Sequence, residues 1–416
     1  MSRTSAERKG PVAGSAARGW RVLAALGGLC AVKVACTGPA PSPEAVSPEV
    51  RAVLSDTWPA VVSPTLARVA EGTVALEEAA RAWERAAASG ADDAAARAEA
   101  QAAWQVVMEA WQEAEVLQVG PAGASLTVAG GMDLRDRIYS WPTVNHCRVD
   151  QETVAGAWDT EAFADTRLVT VLGLDALEVL LYAPPGENAC PAQVDLNASG
   201  AWESLGVDGV QAARASYARA LAVTLHRDVA ALISAWEPAE GNFAGTLADA
   251  GSGDGPYESG RAAVNALFDA LFYLEGVTKD QKLGYALGNG DCTGGGDTCL
   301  SQVEGTLAGG SHRWVAANLR GFRALFTGGG ASGQGLEDLL RHDGEAELAD
   351  RVLAALDAAD AAAAALDASL PEAVAAERAA VETLQARIDA VCDLLRLDVA
   401  AVLALEIPDE AAGDND

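Results

Sequence analysis

The segment RLVTVLGLDALEVLLYAPP, from Arg167 to Pro185, is almost entirely apolar and yet contains two acids, Asp175 and Glu178. We predict that it belongs to a buried helix over residues 161–182, which ends where prolines follow. Residues three positions apart share one face of a helix, so both carboxylates can point at one site. A buried carboxylate needs a cation, a metal ion or hydrogen-bond donors. The residues alone leave two interpretations open, a structural polar network between helical bundles and a metal or substrate site.

The composition and periodicity of the rest of the chain indicate an all-α fold. Among the 416 residues, Ala, Leu and Val dominate, aromatic residues make up only 5%, and glycines cluster in connecting segments. Residues 64–118 are typical of a helical hairpin, in which Trp83, Trp104 and Trp111 lie on apolar faces and are predicted to pack in the core. The second half repeats this pattern of long helices. We therefore predict two helical bundles packed side by side.

The first 36 residues are typical of an export signal, because a basic stretch precedes an apolar run too short to span a bilayer. The run ends at Cys36 and a Pro/Ser-rich stretch follows, as in bacterial lipoproteins, although Lys33 occupies a position where an apolar residue is usual. We predict a periplasmic lipoprotein of the cell envelope, held at the outer membrane by a lipid on Cys36. Plain secretion and an uncleaved anchor are the alternatives. The predicted segments are a signal peptide (1–36), a flexible tether (37–50), a first bundle (51–240), a second bundle (255–405) and an acidic disordered tail (406–416).

The formal net charge of the chain is −30. A surface of this charge repels nucleic-acid phosphates, so we predict no nucleic-acid partner. The same charge suits a small cationic or metal ligand, and it also keeps an exported protein soluble. The charge alone does not decide between these two interpretations.

Five cysteines follow the predicted signal, and disulfides are expected in an oxidising compartment. Cys292 and Cys299 bracket a short glycine-rich loop and are predicted to pair. Cys147 and Cys190 flank the apolar segment and are candidates for a second bridge. The fifth, Cys392, lies on an apolar helical face and is predicted to be a buried free thiol.

Four motifs in chain order resemble segments of the imelysin family. GLDALEVLLY resembles the signature segment, which reads Gly-x-His-x-x-Glu in the best-known branch and has other residues at the His position in a branch of predicted periplasmic lipoproteins. DRIYSWP, DQKLGYALG and VEGTLAGGSHRWVAANLRGF resemble the aromatic-Trp-Pro stretch before the signature and two segments after it. The resemblance covers about residues 50–405 and implies two helical bundles with a ligand site at their interface.

Carried over position by position, the resemblance supplies the candidate site residues. Lys282 is an attractive partner for the two acids, because a cation offsets the cost of burying a carboxylate. Ser311 has a second interpretation, as a cap of the helix that it opens. The full set of candidate ligand-binding residues is Arg137, Trp141, Asp175, Glu178, Asp280, Lys282, Gly284, Glu304 and Ser311.

The departure from the family pattern bears on function. The family is named for a proposed metallopeptidase whose signature His and Glu bind a metal, and here the His is replaced by Asp175. The sequence has no His-Glu-x-x-His pattern, so peptidase activity is not expected. Asp175 and Glu178 would suit iron(III), calcium or another hard cation. Since some relatives are linked to iron uptake, the leading hypothesis is a non-catalytic envelope binding protein for iron or another cation. A metal-dependent hydrolase and an interaction protein with a structural polar interface are the alternatives.

Overall fold

The computed structural model describes residues 46–90, 92–160, 162–290 and 299–408. Within these ranges the chain is helical, with no β-strand, and the predicted all-α class is confirmed. None of the helices in the described ranges combines the length and the apolar character that crossing a bilayer requires. The predicted signal peptide with Cys36, the tether up to residue 45 and residues 409–416 of the predicted tail lie outside the described residues.

The first half of the described chain contains three long α-helices and several short ones. The α-helices are α1 (Pro48–Asp56), α2 (Ser63–Ala88), α3 (Ala94–Ala114), α4 (Leu134–Ile138), α5 (His146–Ala155), α6 (Phe163–Thr166), α7 (Gly173–Tyr182), α8 (Asp195–Ala198), α9 (Ala201–Trp236) and α10 (Phe243–Ala248). A π-helical stretch, Thr57–Val62, joins α1 to α2. Helix α2 packs along both α3 and α9, and α7 packs between α3 and α9.

The second half continues the helical pattern. Its α-helices are α11 (Gly260–Leu271), α12 (Gly284–Leu287), α13 (Ser311–Phe326), α14 (Leu336–His342), α15 (Ala346–Ala364), α16 (Leu370–Asp393) and α17 (Ala400–Val402). π-Helical stretches run over Leu274–Leu283 and Leu394–Val399. Helix α13 packs against α3 of the first half, and α15 packs against α16. The described residues form one compact unit, so the predicted division into bundles ending at residue 240 and starting at residue 255 stays a prediction.

A few fully buried tryptophans mark the centre of the core. Trp83, Trp104 and Trp111 have no more than 1% of their surface exposed, which confirms the predicted core role. The indole of Trp104 packs edge-on against Trp314 of α13, and its Nε1 donates a hydrogen bond to the carbonyl oxygen of Leu174 at 2.8 Å. One buried side chain therefore joins α3 both to the second half and to the segment that carries the two acids.

The prediction of one continuous helix over residues 161–182 is wrong. The structure has a short helix, α6, then a 3-10 turn at Val169–Val171, and α7 starts only at Gly173. Gly173 has φ of 73°, and a Cβ there would lie 2.5 Å from the carbonyl oxygen of Ile138. Glycine is required because the chain must turn in the left-handed region while it touches another backbone. The acids thus lie in a new helix that starts at this turn.

The cysteines divide into bonded and free residues. Cys147 and Cys190 form a disulfide with their Cα atoms 4.6 Å apart, which ties α5 to the loop after α7. Cys299 is also disulfide-bonded, whereas Cys292, its predicted partner, lies outside the described residues. Cys392 is buried and free, as predicted.

Candidate functional site

A buried lysine lies at the centre of a polar network inside the helical core. Lys282, in the π-helical stretch after α11, has no exposed surface. Its Nζ lies 3.0 Å from Glu304 Oε1 and 3.6 Å from Glu115 Oε2, and it donates a hydrogen bond to the side-chain oxygen of Gln112. Both carboxylates are also fully buried. One ammonium group therefore joins residues from α3 and from the loop before α13.

Further donors bind the Oε1 atom of each buried carboxylate. Arg135 donates to Glu115 Oε1 from Nη2 at 2.6 Å and from Nε at 3.1 Å. Glu304 Oε1 accepts hydrogen bonds from Tyr139 Oη at 2.7 Å and from Gln112 Nε2 at 2.9 Å. Burial raises the pKa of Glu304, and the nearby Lys282 ammonium opposes this rise. Two cations thus face two acids, which is how a folded chain tolerates buried charge.

Aromatic and amide groups enclose this network. Lys282 Nζ lies 5.7 Å from the ring centres of both Trp141 and Tyr273, within the range of cation–π attraction. Asn318 of α13 donates from Nδ2 to the backbone and side-chain oxygens of Gln112, at 2.7 and 3.1 Å. These contacts fix the amide that Lys282 binds. The arrangement is rigid and closely partnered.

Asp175, at the first turn of α7, is not part of this ion-pair network. Its Oδ2 accepts hydrogen bonds from Ser140, at 2.6 Å from Oγ and 3.1 Å from the backbone nitrogen. Its Oδ1 accepts from the backbone nitrogen of Ala176 at 3.0 Å. Burial raises the pKa of Asp175 to about 7 in spite of these donors. Asp175 therefore anchors the start of α7 to the stretch that contains Trp141.

Glu178, one turn later, contacts the second half of the chain. Its Oε1 accepts hydrogen bonds from the backbone nitrogens of Leu307 and Ala308, at 3.1 and 2.9 Å. Burial raises the pKa of Glu178 to about 7, and the charges of Glu304 and Asp175 add to this rise. The predicted pairing of Lys282 with Asp175 and Glu178 is wrong, because Lys282 binds Glu115 and Glu304 instead. The two signature acids bind different partners through hydrogen bonds.

Of the other candidates, Trp141 and Glu304 join Lys282 in the network, and Arg137 does not. Arg137 forms an ion pair with Asp228 of α9 at 3.1 Å. Asp280 forms an ion pair with Lys279 at 3.4 Å. It borders the cavity described below and is not in the network.

The last two candidates have structural contacts. Ser311 is the first residue of α13, whose cap position is Gly310, and its Oγ accepts a hydrogen bond from the backbone nitrogen of Leu370 at 3.0 Å. The predicted capping role is therefore wrong, and Ser311 instead joins α13 to the start of α16. The carbonyl oxygen of Gly284 accepts backbone hydrogen bonds from Asn289 and Gly290, which close the turn after α12.

Several residues of the network were not among the sequence-based candidates. None of them lies in the signature segment, and they are Gln112, Glu115, Arg135 and Tyr139. Their signal was faint: Arg135 and Tyr139 fall in or beside DRIYSWP, and Glu115 follows the apolar face of α3. Only the fold shows that these charges are buried together.

The signature acids do not fit a metal site. Within the described residues, no group of three or more His, Cys, Asp or Glu side chains is arranged to hold a metal ion. Asp175 uses both oxygens on Ser140 and Ala176, and Glu178 uses Oε1 on two backbone amides. Hard cations need six or more oxygen ligands, and these two carboxylates already accept hydrogen bonds from the protein. We therefore derive no chemistry through a metal at this position.

A cavity of about 600 Å³ lies beside the network. Its walls come from residues 118–142 of the first half and residues 269–281 of the second half, together with Pro408. Arg135, Trp141 and Tyr273 belong both to these walls and to the contacts around Lys282. A volume of this size accommodates a small organic ligand. The network thus adjoins, through these three residues, a cavity built by both halves of the chain.

Comparison with known proteins agrees with the resemblance in the motifs. The imelysin family model matches residues 64–397. The chain is similar in structure to an imelysin-like protein from Psychrobacter arcticum 273-4, with 18% identity, a TM-score of 0.62, and coverage of 86% of this chain and 97% of that one. It is also similar to a protein from Parabacteroides distasonis ATCC 8503 named an iron-regulated protein A precursor, with 15% identity, a TM-score of 0.64, and coverage of 86% and 96%. At these identities the two structures support the fold alone. No curated protein matches the chain.

Proposed function

The chain belongs to the imelysin family, and we propose that it is a non-catalytic binding protein of the cell envelope whose ligand occupies the cavity beside Lys282. One observation carries this proposal: a cavity of about 600 Å³ is built jointly by both halves, and three of its lining residues, Arg135, Trp141 and Tyr273, also contact the buried polar network. Ligand sites are usually preformed concave spaces of this size with few polar groups at fixed positions.

The occupancy of the candidate side chains supports binding over catalysis. A general acid or base must reach the substrate with an atom that can exchange a proton. Lys282 binds both Glu115 and Glu304. Asp175 and Glu178 accept hydrogen bonds from other groups of the protein. Each of these groups is buried within the protein. Such a network suits a rigid wall for a ligand better than a reaction centre.

Two further observations support the proposed location and a link to iron. The apolar run ending at Cys36 supports lipid anchoring in the envelope. The name of the Parabacteroides distasonis protein supports a role related to iron. Because Asp175 and Glu178 are engaged by the protein, iron would enter as part of a complex carried in the cavity.

A cavity-filling variant tests the proposal. A Cβ added at Gly276, in the cavity wall, meets no atom within 4 Å, so Gly276→Phe places a ring in the open space without a backbone clash. Gly255→Phe is the matched control, since its Cβ meets only a Thr246 methyl at 3.8 Å and it lies outside the cavity. The full chain would be dialysed against a small-molecule extract of the producing cells, and bound compounds would be identified by mass spectrometry. We expect a compound that the wild type and Gly255→Phe retain and Gly276→Phe loses. Equal retention by all three proteins, or no retained compound, would contradict the proposal.

The alternative of a bound metal ion is tested separately. Elemental mass spectrometry of the full chain would measure iron, zinc and calcium, and each metal would be titrated against the melting temperature. We expect no stoichiometric metal that depends on the signature acids. A saturable shift that is lost in Asp175→Ala/Glu178→Ala would move the site from the cavity to these acids.

A further inference from the structure

We infer that the ligand of this cavity is an organic cation, a protonated amine or guanidinium carried on an apolar body. The inference rests on the proposed function and specifies its ligand class. Three features of the cavity support it: the sign of the charges in its walls, the aromatic groups beside them, and its volume.

The walls of the cavity are acidic. Among the described residues that line the cavity, Arg135 is the one cationic side chain, and it is paired with Glu115 at 2.6 Å and with Asp136 at 2.9 Å. A cleft lined by one sign of charge concentrates ligands of the opposite sign. The acidic lining residues are Asp133, Asp136, Asp269, Glu275 and Asp280.

Cations behind the walls do not neutralise this excess. Lys279 lies 3.4 Å from Asp280, but it is also paired with Asp389 at 3.1 Å. Arg396 binds Glu275 and is also paired with Asp393 at 2.8 Å. Each of these cations brings a further acid with it, so the surroundings of the cavity remain negative.

The same cavity offers apolar and aromatic surface. Phe272, Val128 and Pro142 line it together with Trp141 and Tyr273. The rings of Trp141 and Tyr273 already attract one cation, since Lys282 Nζ lies 5.7 Å from each ring centre. Aromatic rings beside carboxylates are the usual recognition of an ammonium ion on an apolar body. This pairing argues for a cation that is also amphipathic.

The volume distinguishes an organic ligand from a bare ion. A cavity of about 600 Å³ lies within the range of drug-sized ligands and is far larger than an inorganic cation. The walls also lack a converging set of metal ligands, since no such group occurs within the described ranges. An organic body that fills the cavity accounts for both its size and its apolar surface.

Three fluorescent probes of one shape test the ligand class. Dansylcadaverine has a primary ammonium group, its N-acetyl derivative is neutral, and dansyl-6-aminohexanoate is anionic. Each would be titrated into the full chain, and the dansyl emission would report transfer to an apolar site. We expect dansylcadaverine to bind about tenfold more tightly than the neutral probe, because several partly exposed charges each contribute a factor of about two to five. The anionic probe should not bind.

Paired variants assign the preference to the cavity. Asp136→Asn/Asp280→Asn removes two partly exposed wall charges, with side chains 52% and 39% exposed. Asp350→Asn/Asp357→Asn is the matched control, since it removes two exposed, arginine-paired acids outside the cavity. We expect the first pair to weaken dansylcadaverine binding about three- to tenfold and to leave the neutral probe unchanged. The control should change neither.

The outcomes separate this inference from the proposed function. Equal binding of the neutral and cationic probes, lost in Gly276→Phe, would overturn the ligand class and leave the cavity as a binding site. Equal weakening by both paired variants would also overturn the inference, since the effect would then come from net charge. No saturable binding of any probe would count against the cavity and the ligand class together.

Discussion

Replacing Lys282 with methionine tests whether the buried network stabilises the fold as its geometry predicts. Methionine keeps the length and apolar stem of the side chain and removes the ammonium group. Glu115 would keep two hydrogen bonds from Arg135, at 2.6 and 3.1 Å. Glu304 would lose its ion pair at 3.0 Å and keep only the neutral donors Tyr139 and Gln112. The variant therefore leaves one buried carboxylate without a counter-charge.

Breaking a buried ion pair by removing one partner costs about 3–5 kcal/mol. For a folded unit of this size, with about 2.1 cal/mol/K of unfolding entropy per residue, this corresponds to a melting temperature lowered by roughly 5 °C. Arg351→Met is the control, because Arg351 is 59% exposed in its ion pair with Asp398 and should change stability by less than about 1 kcal/mol. Urea denaturation and calorimetry would measure both variants.

The pH dependence separates the lost charge from lost packing. Without Lys282 the pKa of Glu304 would rise further, because the ammonium lowers it in the native protein. A carboxyl whose folded pKa exceeds its unfolded pKa destabilises the protein as pH rises through that interval. The loss of unfolding free energy caused by Lys282→Met should therefore increase between acidic and neutral pH. The double variant Lys282→Met/Glu304→Gln should not show this increase. A deficit that is constant with pH, or unchanged in the double variant, would refute the account.

Three further predictions concern α7 and the loop after it. Burial raises the pKa values of Asp175 and Glu178 to about 7. Between about pH 4 and pH 7 the native state therefore binds more protons than the unfolded state, so the urea midpoint should fall as pH rises through this window. The fall should be less steep in Asp175→Asn/Glu178→Gln. Gly173→Ala should lower the free energy of unfolding by about 2 kcal/mol or more, because φ is 73° and the new Cβ would lie 2.5 Å from the Ile138 carbonyl oxygen. The control is Gly209→Ala in α9, where the new Cβ would make only ordinary van der Waals contacts. In the same denaturation assay this control should be neutral or stabilising. Cys147→Ser/Cys190→Ser removes a disulfide that closes a loop with a sequence separation of 43. Calorimetry should show that the free energy of unfolding falls by about 4 kcal/mol, because the unfolded chain gains conformational entropy. A fall below about 1 kcal/mol would mean that other contacts hold the chain without the disulfide.

The sequence was sufficient for those features that depend on local pattern. Helical periodicity predicted α2 and α3, and the apolar positions predicted the buried tryptophans. The motif resemblance selected both Lys282 and Glu304, whose side chains lie 3.0 Å apart in the structure. Each of these properties is visible in a short window of residues, because helix faces and motifs repeat over a few turns.

The sequence was insufficient for those features that depend on distant contacts. Gly173 breaks the predicted helix because the Ile138 carbonyl approaches it, and no local pattern shows that approach. Glu115, just after α3, is indistinguishable in sequence from the more exposed Glu99, Glu109 and Glu113 of that helix. Its burial depends on Lys282 and Arg135, which come from other parts of the chain. The acids of the signature were therefore given the wrong partner, although they were correctly placed in the buried interior.

The two signature acids and the lysine network stabilise the same region in different ways. Asp175 binds the Ser140 segment, and Glu178 binds the backbone just after Glu304. Two of the segments that contact Lys282, those of Trp141 and Glu304, are thus held by α7. Trp141 and Tyr273 also belong to the cavity wall. A charge network can keep a wall in one position only if its own hydrogen bonds are nearly complete. Asp175, which replaces the signature His, accepts hydrogen bonds from Ser140 and from the backbone nitrogen of Ala176. In this chain the motif therefore holds the segments beside the cavity in place, and the ligand that we propose would contact residues outside the motif.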